Sequence, residues 1–427
     1  MIIKNFDQLA TSPLRRQALS IAEAGFEAVN TTQAILREFK YDTKKQRLVI
    51  QNKKYDLSRY RKIICLGIGK AALEAVTALN EILKDKISAG YVIDLKEGDL
   101  GSKIISRAGT HPYPSEENLK YTKELLSLVE GLGKEDLVIC VISGGGSALL
   151  CCPYEISVEE KADIFKVLTK QGATIRELNT VRKHLSLVKG GQLAKIIYPA
   201  TCLSLIFSDV PGDDIGMVAS GPTVKDSTTS RDAQNILQRY QVLEKVGLPV
   251  CKLVETPKED RYFEKVHNFL LVSAKQALEA MKNKAEDFGF ETRIFSNHFQ
   301  GEARALGRQV IGAAALHQCL LGAGESTVTI IGCGKGGRNQ EMALGALSVV
   351  ADNQVLLCLA SDGYDNTEVA GAIVDSSTQS KAKALGLNPE IYLNNNDSFH
   401  FFEAMDDLVE TGLTGSNAAD FFVCLKD

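Results

Sequence analysis

Short apolar runs alternate with longer segments of helical periodicity along most of the chain, and this alternation restricts the folds that the chain can adopt. Segments such as residues 70–85 and 272–290 place apolar side chains three and four positions apart. The apolar runs between such segments are residues 62–67, 90–94, 137–143, 203–209, 268–273, 326–332 and 355–361. This order is typical of βαβ units. We therefore predict an α/β protein with mostly parallel sheets covered on both faces, after one or two helices within residues 6–39.

The length of 427 residues predicts two domains, because single hydrophobic cores seldom grow beyond roughly 250 to 300 residues. Residues 247–265 are polar, contain proline and lack a clear period, as boundary segments often do. We therefore predict domains at residues 1–255 and 256–427. The sequence leaves the oligomeric state open.

Composition predicts a small-molecule partner and a cytoplasmic location. The formal net charge is −4, whereas nucleic-acid-binding proteins usually carry an excess of Lys and Arg. No apolar run approaches the roughly 20 residues that span a bilayer, and the first residues lack the basic-then-apolar order of a secretory signal. Cysteines in or beside apolar runs are expected to be reduced core residues, and no zinc-type spacing predicts a structural metal. These cysteines are Cys65, Cys140, Cys202, Cys333, Cys358 and Cys424.

The loop GIGKAA, residues 67–72, approximates a dinucleotide-binding fingerprint. Asp94 ends the next apolar run, about where a ribose-binding acid would stand. An NAD(P)H-dependent enzyme is therefore one alternative, and a plain structural turn is another. Farther along, His111 belongs to the rigid loop THPYP, which we place near the ligand cleft.

Three consecutive glycines follow the third apolar run. The loop consists of Ser143, Gly144, Gly145, Gly146 and Ser147, and an expected helix follows it. Glycine permits positive φ and close approach, so several N–H groups can point at one phosphate or carboxylate. A tight strand-to-helix turn is the alternative. The loop lacks the ending of a P-loop and the pattern of a nucleophile elbow.

Acidic residues follow two other apolar runs. Asp209, Asp213 and Asp214 lie within SDVPGDD, and Asp362 and Asp365 lie within SDGYD. Carboxylates at strand ends could hold Mg²⁺ or orient a hydroxyl group, although Asp in turns is often only a local cap. We treat both groups as candidate metal or base positions.

Basic residues occur inside a glycine loop and in one helical segment. Lys335 and Arg338 stand where a helix is expected to begin, a position that favours a bound anion. Arg182 and Lys189 lie in residues 177–194, which could equally be a solvated helix face. Phosphoryl transfer needs cations, Mg²⁺ and a carboxylate near the attacking hydroxyl, so the combination predicts a small-molecule kinase.

The same motifs resemble those of glycerate 2-kinases of the MOFRL-containing type. The resemblance covers residue 60 to the end and includes GIGKAA, THPYPS, SGGGSALL, LNTVRKHLSLVKGGQLA, SDVPGDDIGMVASGPTV, GGRNQE and DGYDNTEVAGAIVD. It implies a Rossmann-like N-terminal domain with a doubly wound, mostly parallel sheet, a smaller C-terminal MOFRL-type α/β domain, and an active site in the cleft between them. It also implies ATP-dependent phosphorylation of the C2 hydroxyl of D-glycerate, with Mg²⁺, to give 2-phosphoglycerate.

The resemblance assigns most weight to Lys70 and Arg338, which it implies face each other across the cleft. We assign both to the charge on the transferred phosphoryl group and to the substrate carboxylate. Asp209 is the candidate base, and Asp213 or Asp362 the candidate Mg²⁺ ligand, with Asp214 and Asp365 as interchangeable alternatives. The candidate phosphate- and carboxylate-binding residues are Gly69, Ser143, Gly144, Gly145, Gly146, Ser147, Arg182, Lys189, Gly336, Gly337 and Asn339.

Departures from the family pattern leave nucleotide preference and substrate breadth open. Lys335 replaces an arginine and loses its planar fork, and Asn366 replaces a glycine beyond Asp365. Two other functions stay as alternatives. One is an NAD(P)H-dependent hydroxypyruvate reductase, and the other is a non-catalytic anion-binding module.

Overall fold

The structure is a computed structural model that describes residues 1–210, 212–416 and 418–427, and it divides into two compact units. The parallel-sheet unit contains Ala34–Val210 and Asp214–Leu271. The mixed-sheet unit contains Met1–Gln33 and Val272–Asp427, together with Asp213. The α/β class and the presence of two units agree with the prediction.

The α-helices are α1 (Phe6–Leu9), α2 (Pro13–Val29), α3 (Thr31–Glu38), α4 (Ala72–Leu83), α5 (Glu116–Ser127), α6 (Gly146–Leu149), α7 (Val158–Lys170), α8 (Ile175–His184), α9 (Gln192–Ile197), α10 (Ser230–Arg239), α11 (Val242–Val246), α12 (Ala274–Asp287), α13 (Ala303–Ala313), α14 (Arg338–Ala346), α15 (Ser376–Ala384), α16 (Pro389–Asn394) and α17 (Ser398–Met405). Short 3₁₀ helices occur at Leu57–Arg59, Lys84–Lys86, Val218–Ser220 and Asp260–Tyr262.

The strands are β1 (Phe39–Asp42), β2 (Arg47–Ile50), β3 (Lys53–Asp56), β4 (Lys62–Ile68), β5 (Ala89–Asp94), β6 (Ile104–Ala108), β7 (Asp136–Ser143), β8 (Thr201–Phe207), β9 (Val266–Val272), β10 (Glu291–Phe299), β11 (Gln318–Gly324), β12 (Gln354–Leu359), β13 (Gly371–Asp375), β14 (Leu408–Val409) and β15 (Asp420–Lys426).

The parallel-sheet unit has the strand order β6-β5-β4-β7-β8-β9. Strands β4 to β8 pair in parallel, as the βαβ pattern predicts. Every residue of β7 is buried, which explains why this strand reads as a continuous apolar run rather than an alternating one. Because the strands are parallel, the loops that follow β5, β4, β7 and β8 leave the sheet at one edge. A separate antiparallel sheet of β1, β2 and β3 precedes them.

The mixed-sheet unit has the strand order β10-β11-β15-β12-β13-β14. Only the pair β10 and β11 is parallel among its described pairings, and the other pairs are antiparallel. The last strand of the chain, β15, lies between β11 and β12. This sheet is therefore not mostly parallel, in contrast to the sequence-based expectation.

The predicted strand at residues 326–332 is wrong. The strand of this region is β11, and the predicted run is irregular, with Ile330 and Ile331 exposed at 79% and 62%. Gly322 and Gly324 lie within β11 and closely approach aromatic residues. An added Cβ on Gly322 would lie 2.2 Å from the Phe422 ring, and one on Gly324 would lie 2.3 Å from backbone atoms of Phe299. Glycine makes this strand look weakly apolar in sequence.

The leading helix α2 belongs to the mixed-sheet unit, unlike the predicted domain of residues 1–255. It packs against α12, where an added Cβ on Gly25 would lie 2.7 Å from Met281 Sδ. Arg15 of α2 forms ion pairs of 2.6 Å with both Asp375 and Asp407. The other boundary falls after Leu271 rather than after residue 255. Long-range packing of this kind leaves no local mark in the sequence.

All ten cysteines are free thiols, and eight of them are buried. Cys333 is exposed, which corrects the expectation that it is a core residue. The error follows from the neighbouring run at residues 326–332, which forms no strand. Among the described residues, no helix combines the length and the apolar character needed to cross a lipid bilayer.

Candidate active site

The loops after β4 and β7 are joined by backbone hydrogen bonds at the carboxyl edge of the parallel sheet. The Lys70 amide donates to the Gly144 carbonyl at 2.9 Å, and the Gly69 amide donates to the Ile93 carbonyl of β5 at 3.1 Å. Ligands of open α/β sheets bind at this edge. The structure therefore brings the GIGKAA and SGGGS loops together, as the sequence predicts.

Gly69 and Ser143 have packing roles at this junction. Gly69 has a φ of +116°, and an added Cβ would lie 2.2 Å from Ser143 Oγ. Ser143 is fully buried, and its Oγ accepts from the Ala71 amide at 3.1 Å and donates to the Ile68 carbonyl. These contacts fix the GIGKAA and SGGGS loops relative to each other, so Gly69 and Ser143 position the site.

The Lys70 side chain passes directly over Gly145. Gly145 has a φ of +78°, and an added Cβ would lie 2.8 Å from Lys70 Cγ. Lys70 is exposed, and its ammonium has no ion-pair partner among the described residues. The amides of Gly145, Gly146 and Ser147 likewise donate to no described group. Cationic and N–H donors thus stand unused beside each other, as anion binding requires.

His111 lies beside Lys70, in agreement with its predicted place near the ligand site. An added Cβ on Gly145 would lie 3.3 Å from His111 Cδ2. Desolvation and then the positive charge of Lys70 lower the pKa of His111 to about 4, although the residue as a whole is exposed. The imidazole is therefore neutral at neutral pH, so it adds no positive charge here.

Asp94 does not serve the role that a dinucleotide fingerprint would give it. The residue is 2% exposed, and its two carboxylate oxygens accept from the amides of Leu73 and Leu95 at 2.8 and 2.6 Å. The first of these amides lies in the first turn of α4, so Asp94 caps that helix from a distance. A buried cap is unavailable to ribose hydroxyl groups.

Arg182 and Lys189 of the basic segment are not on a solvated face. Arg182 stacks over Phe165 at 4.8 Å, and burial lowers the pKa of Arg182 to about 10. Lys189 is fully buried and donates to the Leu150 carbonyl at 2.9 Å. Burial, followed by the nearby charge of Lys161, lowers the pKa of Lys189 well below its ordinary value.

Sequence reasoning missed Lys161, which lies beside these residues. It occupies a position in the apolar stripe of α7, where the other buried residues are Val158, Ile164 and Leu168. Lysine is rarely buried without a partner. Its place in an apolar stripe is the sequence signal that could have identified it.

A chain of polar side chains links the glycine loop to the basic segment. Ser147 Oγ and Ser220 Oγ are 2.9 Å apart, and Ser220 Oγ donates to Asn179 Oδ1, which also accepts from Arg182. Ala219 and Ser220 have φ values of +49° and +63°, in the left-handed region. Such strained backbone persists where the surrounding contacts impose it, and it clusters at functional sites.

The aspartates after β8 have different surroundings. Asp209 is half-buried, whereas Asp214 is exposed and its Oδ1 accepts from the Gly216 amide at 2.9 Å, which is a local turn. Asp213, which belongs to the mixed-sheet unit, has a buried Oδ1 without a hydrogen-bond partner among the described residues. Burial raises the pKa of Asp213.

Arg338 begins α14 in the mixed-sheet unit, and acidic residues of the chain itself neutralise it. Its Nε and Nη2 donate to the two carboxylate oxygens of Asp420, and Nη1 donates to Glu325 at 2.7 Å. Burial opposes the charged form, but the hydrogen bond and charge of Asp420 outweigh it and raise the pKa of Arg338. The anion that the sequence predicts beside this cation is thus supplied by the protein.

Asp365 and Asn339 cap the same helix. Asp365 is buried, and its carboxylate accepts from the amides of Asn339 and Gln340 and from both of their side chains. Gly337 allows this approach, since an added Cβ would lie 1.9 Å from the Asp365 carbonyl oxygen. The buried amide group of Asn339 thus has a protein partner in this structure. Gly336 packs in the same way against Ser398.

Several amides of the glycine loop before α14 are also engaged. Asn396 Oδ1 accepts from the Ile331 and Gly332 amides at 2.7 and 2.9 Å, and Asp397 accepts from the Lys335 amide at 2.9 Å. Lys335 Nζ pairs with Glu368. Asp362 is half-buried and accepts from the Tyr364 amide at 3.0 Å. Among the candidate residues, free N–H groups therefore occur in the SGGGS loop and at Gly336 and Gly337, whose amides donate to no described group.

No group of three or more His, Cys, Asp or Glu residues is arranged to hold a metal ion in the part of the chain that the structure describes. A parallel sheet with unused amides and an unpaired lysine at its carboxyl edge defines an α/β enzyme that acts on small anionic ligands.

Comparison with known proteins identifies the family. Residues 17–255 match the family described as "Domain of unknown function (DUF4147)", and residues 318–420 match the MOFRL family. A D-glycerate 2-kinase from Thermotoga maritima is 36% identical over 96% of this chain and 98% of its own length. A glycerate 2-kinase from Pyrococcus horikoshii is 37% identical over 96% of this chain and 97% of its own length.

The fold agrees with this result. A crystal structure of a glycerate kinase from Thermotoga maritima superimposes with a TM-score of 0.84 at 33% identity, covering 96% of this chain and 99% of that chain. The chain belongs to the MOFRL-containing glycerate 2-kinase family.

Proposed function

We propose that this protein transfers the γ-phosphoryl group of ATP to the C2 hydroxyl of D-glycerate, giving 2-phosphoglycerate and ADP. The family and the names of its full-length relatives support this reaction. The structural observation that carries it is the Lys70 ammonium, which lies over Gly145 with no ion-pair partner among the described residues, beside three unused amides.

Charge stabilisation is the main task of such a site. In the reaction the C2 oxygen bonds to the γ-phosphorus, the bond from phosphorus to the ADP oxygen breaks, and the hydroxyl proton passes to a base. Lys70 and the amides of Gly145 to Ser147 would offset the negative charge of the transferred group. Asp209, which follows β8, is our proposed proton acceptor. Because the His111 imidazole is neutral, the positive charge beside the GIGKAA and SGGGS loops comes from Lys70.

Arg338 remains a proposed binding residue, with Asp420 as its positioning partner. Its bond to Glu325 joins two exposed side chains, and such pairs contribute about 0 to 1 kcal/mol. A substrate anion could therefore displace Glu325 and meet a guanidinium that Asp420 still orients. The assignment of Arg338 to substrate carboxylate or phosphoryl charge stays a prediction.

Mg²⁺, when bound, would offset the negative charge of the nucleotide phosphates. Asp213 fits such an ion, because its buried Oδ1 lacks a described hydrogen-bond partner. Asp362, whose Oδ1 accepts one backbone amide, is the second candidate. Asp365 fits poorly, since both of its oxygens already accept from Asn339 and Gln340.

A coupled ADP-release assay on purified protein with D-glycerate and ATP tests the proposal. Release of ADP that depends on D-glycerate, with phosphorus NMR showing the phosphate on C2, is the expected result. Oxidation of NADH with hydroxypyruvate in the absence of ATP would instead favour a reductase, and glycerate binding without ADP release would favour a binding module. The free cysteine thiols support the predicted cytoplasmic location.

A further inference from the structure

A cavity of about 370 Å³ in the parallel-sheet unit is lined by cations and by no described acidic residue. It is bounded by the loop at residues 112–114, by α7 and by Arg182. The basic side chains that line it are Lys161, Lys166, Lys170 and Arg182. Lys166 Nζ pairs with Asp163 outside the lining at 2.9 Å, and the remaining basic side chains leave the lining with an excess of positive charge.

Two of these cations are withdrawn from water without a counter-charge. Lys161 is 2% exposed, and the Cys151 sulfur at 3.9 Å is its described hydrogen-bond partner. Arg182 uses Nη1 for Asn179 and one face for Phe165, and it forms no ion pair with a described residue. A buried cation without an anion is costly. A ligand carrying negative charge would remove that cost.

The electrostatic environment agrees with this picture. Burial lowers the pKa of Lys161, and the positive charge of Arg182 lowers it further. Fully buried Lys189 lies close enough to both to be affected by their charges. The largest influences on these three pKa values are burial and the neighbouring Lys, Arg and Cys side chains. An anion in the cavity would raise the pKa values of Lys161 and Arg182 again.

The cavity adjoins the SGGGS loop. Ser147, the last residue of that loop, lines it directly, and the bond to Ser220 links Ser147 through Asn179 to Arg182. A ligand here therefore lies at the carboxyl end of β7, where reactants of open α/β sheets bind. This position favours a reactant over a remote effector.

We infer that Lys161 and Arg182 bind the carboxylate of the hydroxy-acid acceptor in this cavity. The inference rests on the proposed function and names the substrate group that the subsite takes. The planar guanidinium fork of Arg182 matches a carboxylate, and Lys161 adds a point charge. A cavity of 370 Å³ is at the small end of ligand sites, which suits a short acid better than a whole nucleotide.

Steady-state kinetics with Lys161→Met test the subsite. We expect KM for D-glycerate to rise about 10- to 100-fold, as for loss of a charged hydrogen bond, while KM for ATP stays unchanged. Lys161→Arg should recover most of the loss. Lys134→Met, which removes an exposed lysine without a described partner, is the control and should match wild type. A rise in KM for ATP alone would place nucleotide phosphate in the cavity and overturn the inference.

Binding and melting experiments separate this inference from the proposed function and from a structural role. Calorimetric titration measures the affinity for D-glycerate without turnover. Equal affinity in wild type and Lys161→Met would overturn the inference even if the protein is an active kinase. Without ligand, Lys161→Met should melt at the same or a higher temperature, because an unpaired buried charge is gone. A lower melting temperature with unchanged glycerate affinity would show that Lys161 is structural.

Discussion

Arg338 and Asp420 form a two-point ion pair that links the start of α14 to the start of β15. Nε and Nη2 of the guanidinium donate to the two carboxylate oxygens, and Asp420 is 3% exposed. Paired hydrogen bonds of this kind fix orientation as well as charge. The buried carboxylate thus determines where the exposed side of the guanidinium points.

The first prediction concerns Asp420 and pH. Burial, against the opposing influence of Arg338, raises the pKa of Asp420 from 3.8 to about 7. A carboxyl group with a raised pKa in the folded state contributes stability that is fully present below pH 3.8 and lost as the pH rises through about 7. Asp420→Asn cannot ionise, so its free energy of unfolding should fall less between pH 5 and pH 8. Urea unfolding of both proteins across that range measures the difference, and parallel pH profiles would contradict the assignment.

The second prediction concerns Lys70. Replacing Lys70 by Ala should lower kcat for glycerate-dependent ADP release by about 10³-fold, because a cation on the transferred phosphoryl group contributes to that extent. The free energy of unfolding should change little, since the ammonium has no ion-pair partner among the described residues. Lys134→Ala is the matched control for charge loss. Turnover close to wild type in Lys70→Ala would remove Lys70 from the mechanism.

The third prediction uses two glycines with similar backbone angles. Gly145 and Gly131 have φ values of +78° and +72°, but only Gly145 has atoms within 4 Å of an added Cβ. Alanine at either position should cost about 1–2 kcal/mol in the free energy of unfolding. Gly145→Ala should also displace the Lys70 side chain and lower kcat about 10²-fold. Equal activity of the two variants would show that the contact with Lys70 is unimportant.

The fourth prediction concerns Asp94. Asp94→Ala removes the charged acceptor of the Leu73 and Leu95 amides, so the free energy of unfolding should fall by about 1–3 kcal/mol. Because the carboxylate serves as a cap, KM for ATP should be unaffected. Exposed Asp85, replaced by Ala, is the control and should change stability by less than about 0.5 kcal/mol. Chemical denaturation and initial rates provide the readouts, and a loss of nucleotide affinity without loss of stability would restore a ligand-binding role.

Local patterns predict the parallel-sheet unit well. The runs that become β4, β5, β7 and β8 are apolar over most of their length, since both faces of a central parallel strand are buried. The glycine loops after β4 and β7 are equally visible, because positive φ favours glycine. The contact of Lys70 with Gly145 follows from these two loops leaving neighbouring strands.

The mixed-sheet unit was harder to predict because its packing uses contacts far apart in the chain. Glycines inside β11 make room for Phe299 and Phe422, which hides the strand, whereas the apolar Ile330 and Ile331 lie in an irregular exposed segment. The acidic residues of SDGYD were predicted to be metal or base positions, yet Asp365 caps α14. A helix cap supplied from another loop has no fixed sequence spacing.

The sequence by itself determined the α/β class, the parallel strands and the glycine loops at their ends, because periodicity and backbone conformation are local properties. Only the tertiary structure decided which charges are neutralised. Arg338 meets Asp420 from 82 positions away, whereas buried Lys161 and half-buried Arg182 line a cavity with no described acid in its lining. Charge compensation depends on distance in space and on exclusion of water, and neither is set until the elements pack.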